Sequence, residues 1–180
     1  LLFMDALENE SLEYRVIFSI LLLTGMRRGE LLGLEWPDID FDAGVIQIRR
    51  TSQYAPGAGI YTDTTKTEQS KRPLAAPAEL FDMLRQYRAE QGERRLKLGD
   101  AGAKEWAEHP RLFTQWNGKP MHPNAPYQEL QKLLQHNGLP KVSLHSLRHT
   151  NATLLIRQGT DVRTVSGRLG HSQTSTTLNM

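Results

Sequence analysis

The chain has 180 residues and a mass of 20.4 kDa, enough for one domain with a real core and short for two. Hydrophobic residues make up 38 % and charged residues 23 %, which excludes a disordered chain, and the absence of cysteine excludes disulfides, Cys-zinc sites and thiol catalysis. The net charge of +2 hides a gradient: residues 1–48 hold three Lys/Arg against nine Asp/Glu, whereas residues 109–180 hold eight against two. A basic C-terminal half suits a polyanion partner, although uneven surface charge alone gives the same pattern.

Taken in chain order, the N-terminal LLFMDALENE lacks the basic start of a signal peptide. The longest apolar run, Val16 to Leu23, is too short to span a bilayer. Residues 11–24 read as a helix, with Leu12, Val16, Ile20 and Leu23 at near-helical spacing. Gly25 interrupts it, and a short helix runs through Glu30 to Leu34. WPDIDFDAG is turn-rich. Residues 45–50, VIQIRR, alternate and are β-branched, so they read as a strand. QYAPGAGIYTDTTKT reads as a second strand interrupted by Pro56 and two glycines, ending in a polar turn. RPLAAP at 72–77 reads as a third. These three predict one small antiparallel sheet. A charged helix follows over 78–98, then an insertion or linker over 97–109, then a short strand and turn in RLFTQWNGKP. The rest reads as helical: 123–136, 145–158, 162–169 and from Thr174 onward. The fold class is therefore mainly α with a small antiparallel β-sheet (α+β).

Four clusters carry chemistry. In SLHSLRHTNATLL, His145 and Arg148 share a helix face, with His149 one turn after His145. Two His at that spacing suit zinc, but Ser146 stands where such a site needs its Glu base, and Arg148 is an obligate cation beside it. Phosphate suits the pair better: Arg offers a bidentate fork, and His moves a proton near neutral pH. In TGMRRGELLGLEW, the break at Gly25 presents Arg27 and Arg28 at a helix start, with Glu30 placed to pair with one of them. In TTKTEQSKRPL, Lys66 sits in a polar turn, followed by Lys71 and Arg72. In GRLGHSQTSTTLNM, His171 follows a Gly helix stop. Taken singly, each fits a plain structural role: a capping His, an exposed Arg pair, a solvated basic turn, a helix end.

In this order the four clusters resemble the tyrosine recombinase, or phage integrase, family, from about Leu21 to Met180. The resemblance implies the recombinase catalytic-domain fold and metal-free, cofactor-free phosphoryl transfer on double-stranded DNA. It identifies Arg27 as the first catalytic arginine, Lys66 as the hairpin lysine, His145 and Arg148 as the HxxR pair and His171 as the last His. It gives Glu30 the acidic position supporting Arg27. Arg28, Lys71, Arg72, Lys141 and His149 are then candidate DNA-phosphate contacts. The family's tyrosine nucleophile is expected one position beyond Met180, and none of Tyr14, Tyr54, Tyr61, Tyr87 or Tyr127 sits in the matching motif. Residues 1–180 are thus expected to be a single catalytic domain, cut before its nucleophile and without the family's N-terminal DNA-clamping domain. The resemblance implies a cytoplasmic, nucleoid-associated protein of bacterial or phage origin that forms a synaptic tetramer when full length. A binding module derived from a recombinase and a type IB topoisomerase-like enzyme are the alternatives.

Overall fold

The computed structural model describes residues 2–64, 71–99, 106 and 110–170. After a short helix α1 (Leu2–Leu7), the central element is helix α2 (Leu12–Thr24). Its sequence is apolar on nearly all sides from Val16 on, and Val16, Ile17, Phe18, Ile20 and Leu21 are all buried. A helix of that kind must be surrounded. Helix α4 (Ala78–Lys97) covers one side with Leu80, Phe81, Leu84 and Tyr87. Helices α5 (Ala125–His136) and α6 (Leu144–Arg157) add Leu130, Leu133, Leu134, Leu144 and Leu147 to the same core. Helix α7 (Val162–Leu169) packs Val165 and Leu169 on Ala152 of α6 in a small second cluster.

The strands differ from the single sheet expected. Strands β1 (Ile39–Asp40), β2 (Val45–Ile48) and β5 (Arg72–Ala75) form an antiparallel sheet with β2 in the middle. Strands β3 (Arg50–Ala55) and β4 (Gly59–Thr64) form a separate hairpin. The predicted 45–50 strand breaks at Arg49, because Arg50 is drawn to Asp38 (2.5 Å) and Glu35 (2.9 Å). Pro56 and the two glycines do not interrupt a strand. They make the turn that folds it back, with Tyr54 facing Ile60 and Ala55 facing Gly59. The segment RLFTQWNGKP forms isolated bridges, Glu35 to Arg111 and Thr114 to Pro120, in place of a strand.

Helix α3 (Arg28–Gly33) lies against the hairpin. A Cβ at Gly33 would stand 2.7 Å from the carbonyl oxygen of Arg50, so the small residue sets the distance of approach. Of the predicted insertion, Trp106 is described and buried. The helix expected from Thr174 onward lies outside the described residues. No helix among the described residues is long and apolar enough to cross a membrane.

Candidate active site

Helix α2 stops at Gly25, whose φ of 66° lies in the left-handed region. The last carbonyls of a helix have no partner within it. Here side chains from α6 and α7 supply the partners. Asn151 Nδ2 donates to Leu22 O (2.8 Å), Arg168 Nη2 to Leu23 O (3.1 Å) and Arg148 Nη1 to Gly25 O (2.7 Å). A Cβ at Gly25 would meet Leu169 Cδ2 at 2.6 Å and Asn151 Oδ1 at 2.7 Å, so both its dihedral and its surroundings require glycine.

Among the described residues Arg148 is the largest fully buried side chain, 1 % exposed. Its Nη2 donates to Leu169 O at 2.7 Å, at the end of α7. The guanidinium therefore sits between the C-termini of two helices, where the dipoles present their negative ends and favour a cation. Burial pushes its pKa down to about 10, helped by the charge of Arg27, which leaves it a full cation at neutral pH. Among the described residues its Nε has no acceptor.

Arg27 is the residue before α3, and Glu30 lies one turn into that helix. Glu30 is 2 % exposed and accepts from four donors. Oε2 takes the backbone N–H of Arg27 (2.8 Å) and Nη2 of Arg72 (2.9 Å). Oε1 takes Nη1 of Arg27 (3.0 Å) and Nη1 of Arg72 (3.0 Å). Burial alone would push this carboxyl up. The hydrogen bonds and charges of Arg72 and then Arg27 outweigh it and hold the group below the usual carboxylate range. The Arg27 side chain stays 44 % exposed, and its Nη2 reaches Gly170 O at 3.0 Å.

His145 stands in the first turn of α6, whose start is fixed by Ser143 accepting from the N–H of Ser146 at 3.1 Å. Its ring meets that of His149 edge-on, centroids 4.6 Å apart. Partial desolvation, then the positive charge of His149, Arg148 and Arg27, lowers its pKa, so the ring is neutral at pH 7. Arg27, His145 and Arg148 line one open cleft of about 420 Å³, together with Arg28, Ser143 and Tyr127.

Residues far apart in the chain thus meet: Arg27, His145 and Arg148 at the cleft, with Glu30 beneath Arg27. Arg28 is exposed at the rim, Lys71 and Lys141 are exposed, and His149 is half-buried against His145. Arg72 is a correction. Expected as a surface phosphate contact, it is 8 % exposed, and its guanidinium is held by Glu30 and by Arg168 O (2.7 Å). Its sequence carried a signal: in RPLA, Arg72 alternates onto the inward face with Leu74. Arg168 and Tyr127 were not anticipated either, and neither stands in a pattern that marks it. Lys66 and His171 lie outside the described residues.

The profile of the phage integrase family matches residues 2–180. The chain belongs to the phage integrase family. It is 33 % identical over 184 aligned positions to a XerC-like tyrosine recombinase of Caldanaerobacter subterraneus subsp. tengcongensis, covering 98 % of this chain and 46 % of that protein. It is 28 % identical to the ICEBs1 integrase of Bacillus subtilis, covering 99 % of this chain and 47 % of that one. This integrase-family chain thus spans about half the length of the curated relatives it matches. Among solved structures it is similar to the Tn1549 transposon integrase in complex with circular intermediate DNA, with a TM-score of 0.80 and 25 % identity over 98 % of this chain and 58 % of that one. The XerA recombinase shares the fold, with a TM-score of 0.73 at 24 % identity, over 98 % of this chain and 53 % of that one.

Proposed function

We propose that this chain is the catalytic domain of a site-specific DNA recombinase. It cuts and rejoins double-stranded DNA through a 3′-phosphotyrosyl intermediate. The observation that carries this reading is the convergence of Arg27, His145 and Arg148 on one open cleft, with one arginine exposed and one buried between two helix ends. That pairing suits a phosphorane. As a tyrosine oxygen attacks phosphorus, negative charge grows on the non-bridging oxygens, and preoriented cations stabilise it without reorganising. His145, neutral at pH 7, accepts the proton of the attacking phenol. The bond to the 5′ oxygen breaks, and by the family resemblance Lys66 protonates that oxygen while His171 donates to the phosphate. The phosphodiester energy is kept in the tyrosyl ester, so a 5′-hydroxyl of a second strand reverses the step without ATP.

The nucleophile of the full-length protein is a tyrosine following the Thr176-Thr177-Leu178-Asn179 motif. Arg28, Lys71, Lys141 and His149 contact phosphates of the DNA backbone, which positions the duplex without reading its sequence. Further copies of the recombinase complete a synaptic tetramer, and the protein acts in the cytoplasm on nucleoid or phage DNA.

The test uses full-length protein and a nicked suicide duplex bearing the junction of the genetic element that encodes it. A covalent protein–DNA adduct is expected, formed about 100- to 1,000-fold more slowly in Arg27→Ala and Arg148→Ala. No adduct, or one unaffected by Arg148→Ala, overturns the reading. Relaxation of a supercoiled plasmid without strand exchange would assign the chain to topoisomerase chemistry instead.

A further inference from the structure

We infer that Arg72 is a positioning residue that sets the geometry of Arg27 through Glu30. The inference rests on the recombinase reading. Arg72 lies on β5, and its guanidinium contacts two other parts of the site. Nη1 and Nη2 form a parallel fork onto the two oxygens of Glu30, at 3.0 and 2.9 Å. Nε donates to Arg168 O at 2.7 Å, two residues before Gly170.

Glu30 in turn holds Arg27 by its backbone N–H and by Nη1. One carboxylate thus serves two arginines, and the division is geometric. A planar fork fixes the carboxylate plane. With that plane fixed, Oε1 has one orientation toward Arg27 Nη1, and the remaining amino group of Arg27 is turned to Gly170 O. Without Arg72, Glu30 would be free to rotate and to take the Arg27 guanidinium as its sole charged partner. A fully paired Arg27 offers less to a phosphate than one whose counter-charge is shared.

Gly170 supports the same arrangement from the other side. A Cβ there would lie 2.8 Å from Arg72 Nη1 and 3.0 Å from its Cζ, and its φ is 68°. The chain is glycine where the guanidinium needs the space. Arg72 therefore ties together the strand that follows the Lys66 segment, the Arg27 corner and the end of α7.

The experiment measures single-turnover adduct formation by the full-length protein on the suicide duplex. It compares wild type, Arg72→Met, Arg72→Lys, Arg27→Ala and the Arg27→Ala/Arg72→Met double variant. Supporting groups behind a reactive residue typically change rate by about 10- to 100-fold, and Arg72→Met is expected in that range. Affinity for the duplex should change by less than about twofold, because Arg72 is buried away from DNA. Arg72→Lys, which keeps the charge and loses the fork, is expected to recover part of the rate and serves if the Met variant does not fold. The decisive reading is the double variant: with Arg27 gone, removing Arg72 should cost less than about another twofold. If the two losses multiply, or if neither Arg72 variant slows the wild-type reaction, the inference is overturned. If Arg27→Ala itself leaves adduct formation unchanged, the recombinase reading fails instead.

Discussion

Arg148 donates to the carbonyl of Gly25, a residue 123 positions earlier in the chain, at 2.7 Å. The bond does two jobs: it satisfies an orphan carbonyl at the end of α2 and orients a buried cation toward the cleft. Its loss should therefore be felt in both stability and rate. Arg148→Ala leaves the carbonyls of Gly25 and Leu169 without these donors, at about 1–3 kcal/mol each if they stay buried. Removing one preorganised donor from a charge-stabilising site costs about 100- to 1,000-fold in rate. Arg148→Lys keeps the charge but cannot reach both carbonyls at once, so it should recover more stability than activity. Thermal melts and adduct kinetics on the same samples separate the two losses.

Gly25→Ala should disturb the same bond from the backbone side. The residue sits at φ 66°, and the new methyl carbon would meet Leu169 and Asn151 well inside contact distance. Strain of about 1–3 kcal/mol is expected. For a domain of this size each kcal/mol lowers the melting temperature by roughly 2–4 °C. The check is a melt of the Ala variant against wild type; an unchanged midpoint would contradict the packing described.

Glu30 and Glu13 should respond to pH with opposite signs. Glu30 is held below the usual value of 4.5 by Arg72 and Arg27, against its burial. Its contribution to stability is present above 4.5 and is lost as pH falls through its lower folded value. Glu30→Gln should remove that acid sensitivity and, by leaving Arg72 buried without its counter-charge, cost about 3–5 kcal/mol at pH 7. Glu13 is pushed above 4.5, chiefly by burial, so its contribution is full below 4.5 and declines as pH rises through its folded value. The Tyr87 hydroxyl lies 2.6 Å from Glu13 Oε1 and 2.9 Å from Leu112 O, with one proton for two acceptors. A protonated Glu13, or Gln in its place, donates to Tyr87 and frees that proton for Leu112. Glu13→Gln should thus match or exceed wild-type stability at pH 7 and lose the advantage near pH 4. Melts at the two pH values check both signs.

His145 should titrate below the ordinary histidine value of 6.5, through partial desolvation and the cations beside it. Replacing His149 with Gln removes the nearest of those charges and should move the His145 titration upward by NMR. The cleavage rate of the full-length protein should fall as pH drops through the His145 value, because only the neutral ring accepts a proton. A rate limb that stays fixed while the NMR titration moves would assign the proton transfer to another group.

Much of this was legible in the residues. Helix α2 announced itself by its apolar run, α4 by its length and charge, and the HxxR pair by spacing. The burial of Arg148 was not legible. A charged residue on a helix reads as solvent-facing, and only the two helix ends that meet it in space make its burial tolerable. The hairpin was missed for a similar reason. Local alternation runs through Arg49 and Arg50 unbroken, and the break comes from Asp38 and Glu35, which lie far enough back in the sequence to be invisible to a short window. The basic cluster around Arg72 points to solvent, whereas its alternation with Leu74 on β5 turns it inward.

Full-length protein, the suicide duplex and a chelator are mixed, and the adduct is digested with nuclease and protease and read by mass spectrometry. The expected product is a nucleotide joined by its 3′ phosphate to a tyrosine, with a released strand ending in a 5′-hydroxyl and no loss of yield when the chelator is present. A serine linkage, a 5′-phosphate end, or cleavage that leaves no adduct and stops with the chelator would contradict it.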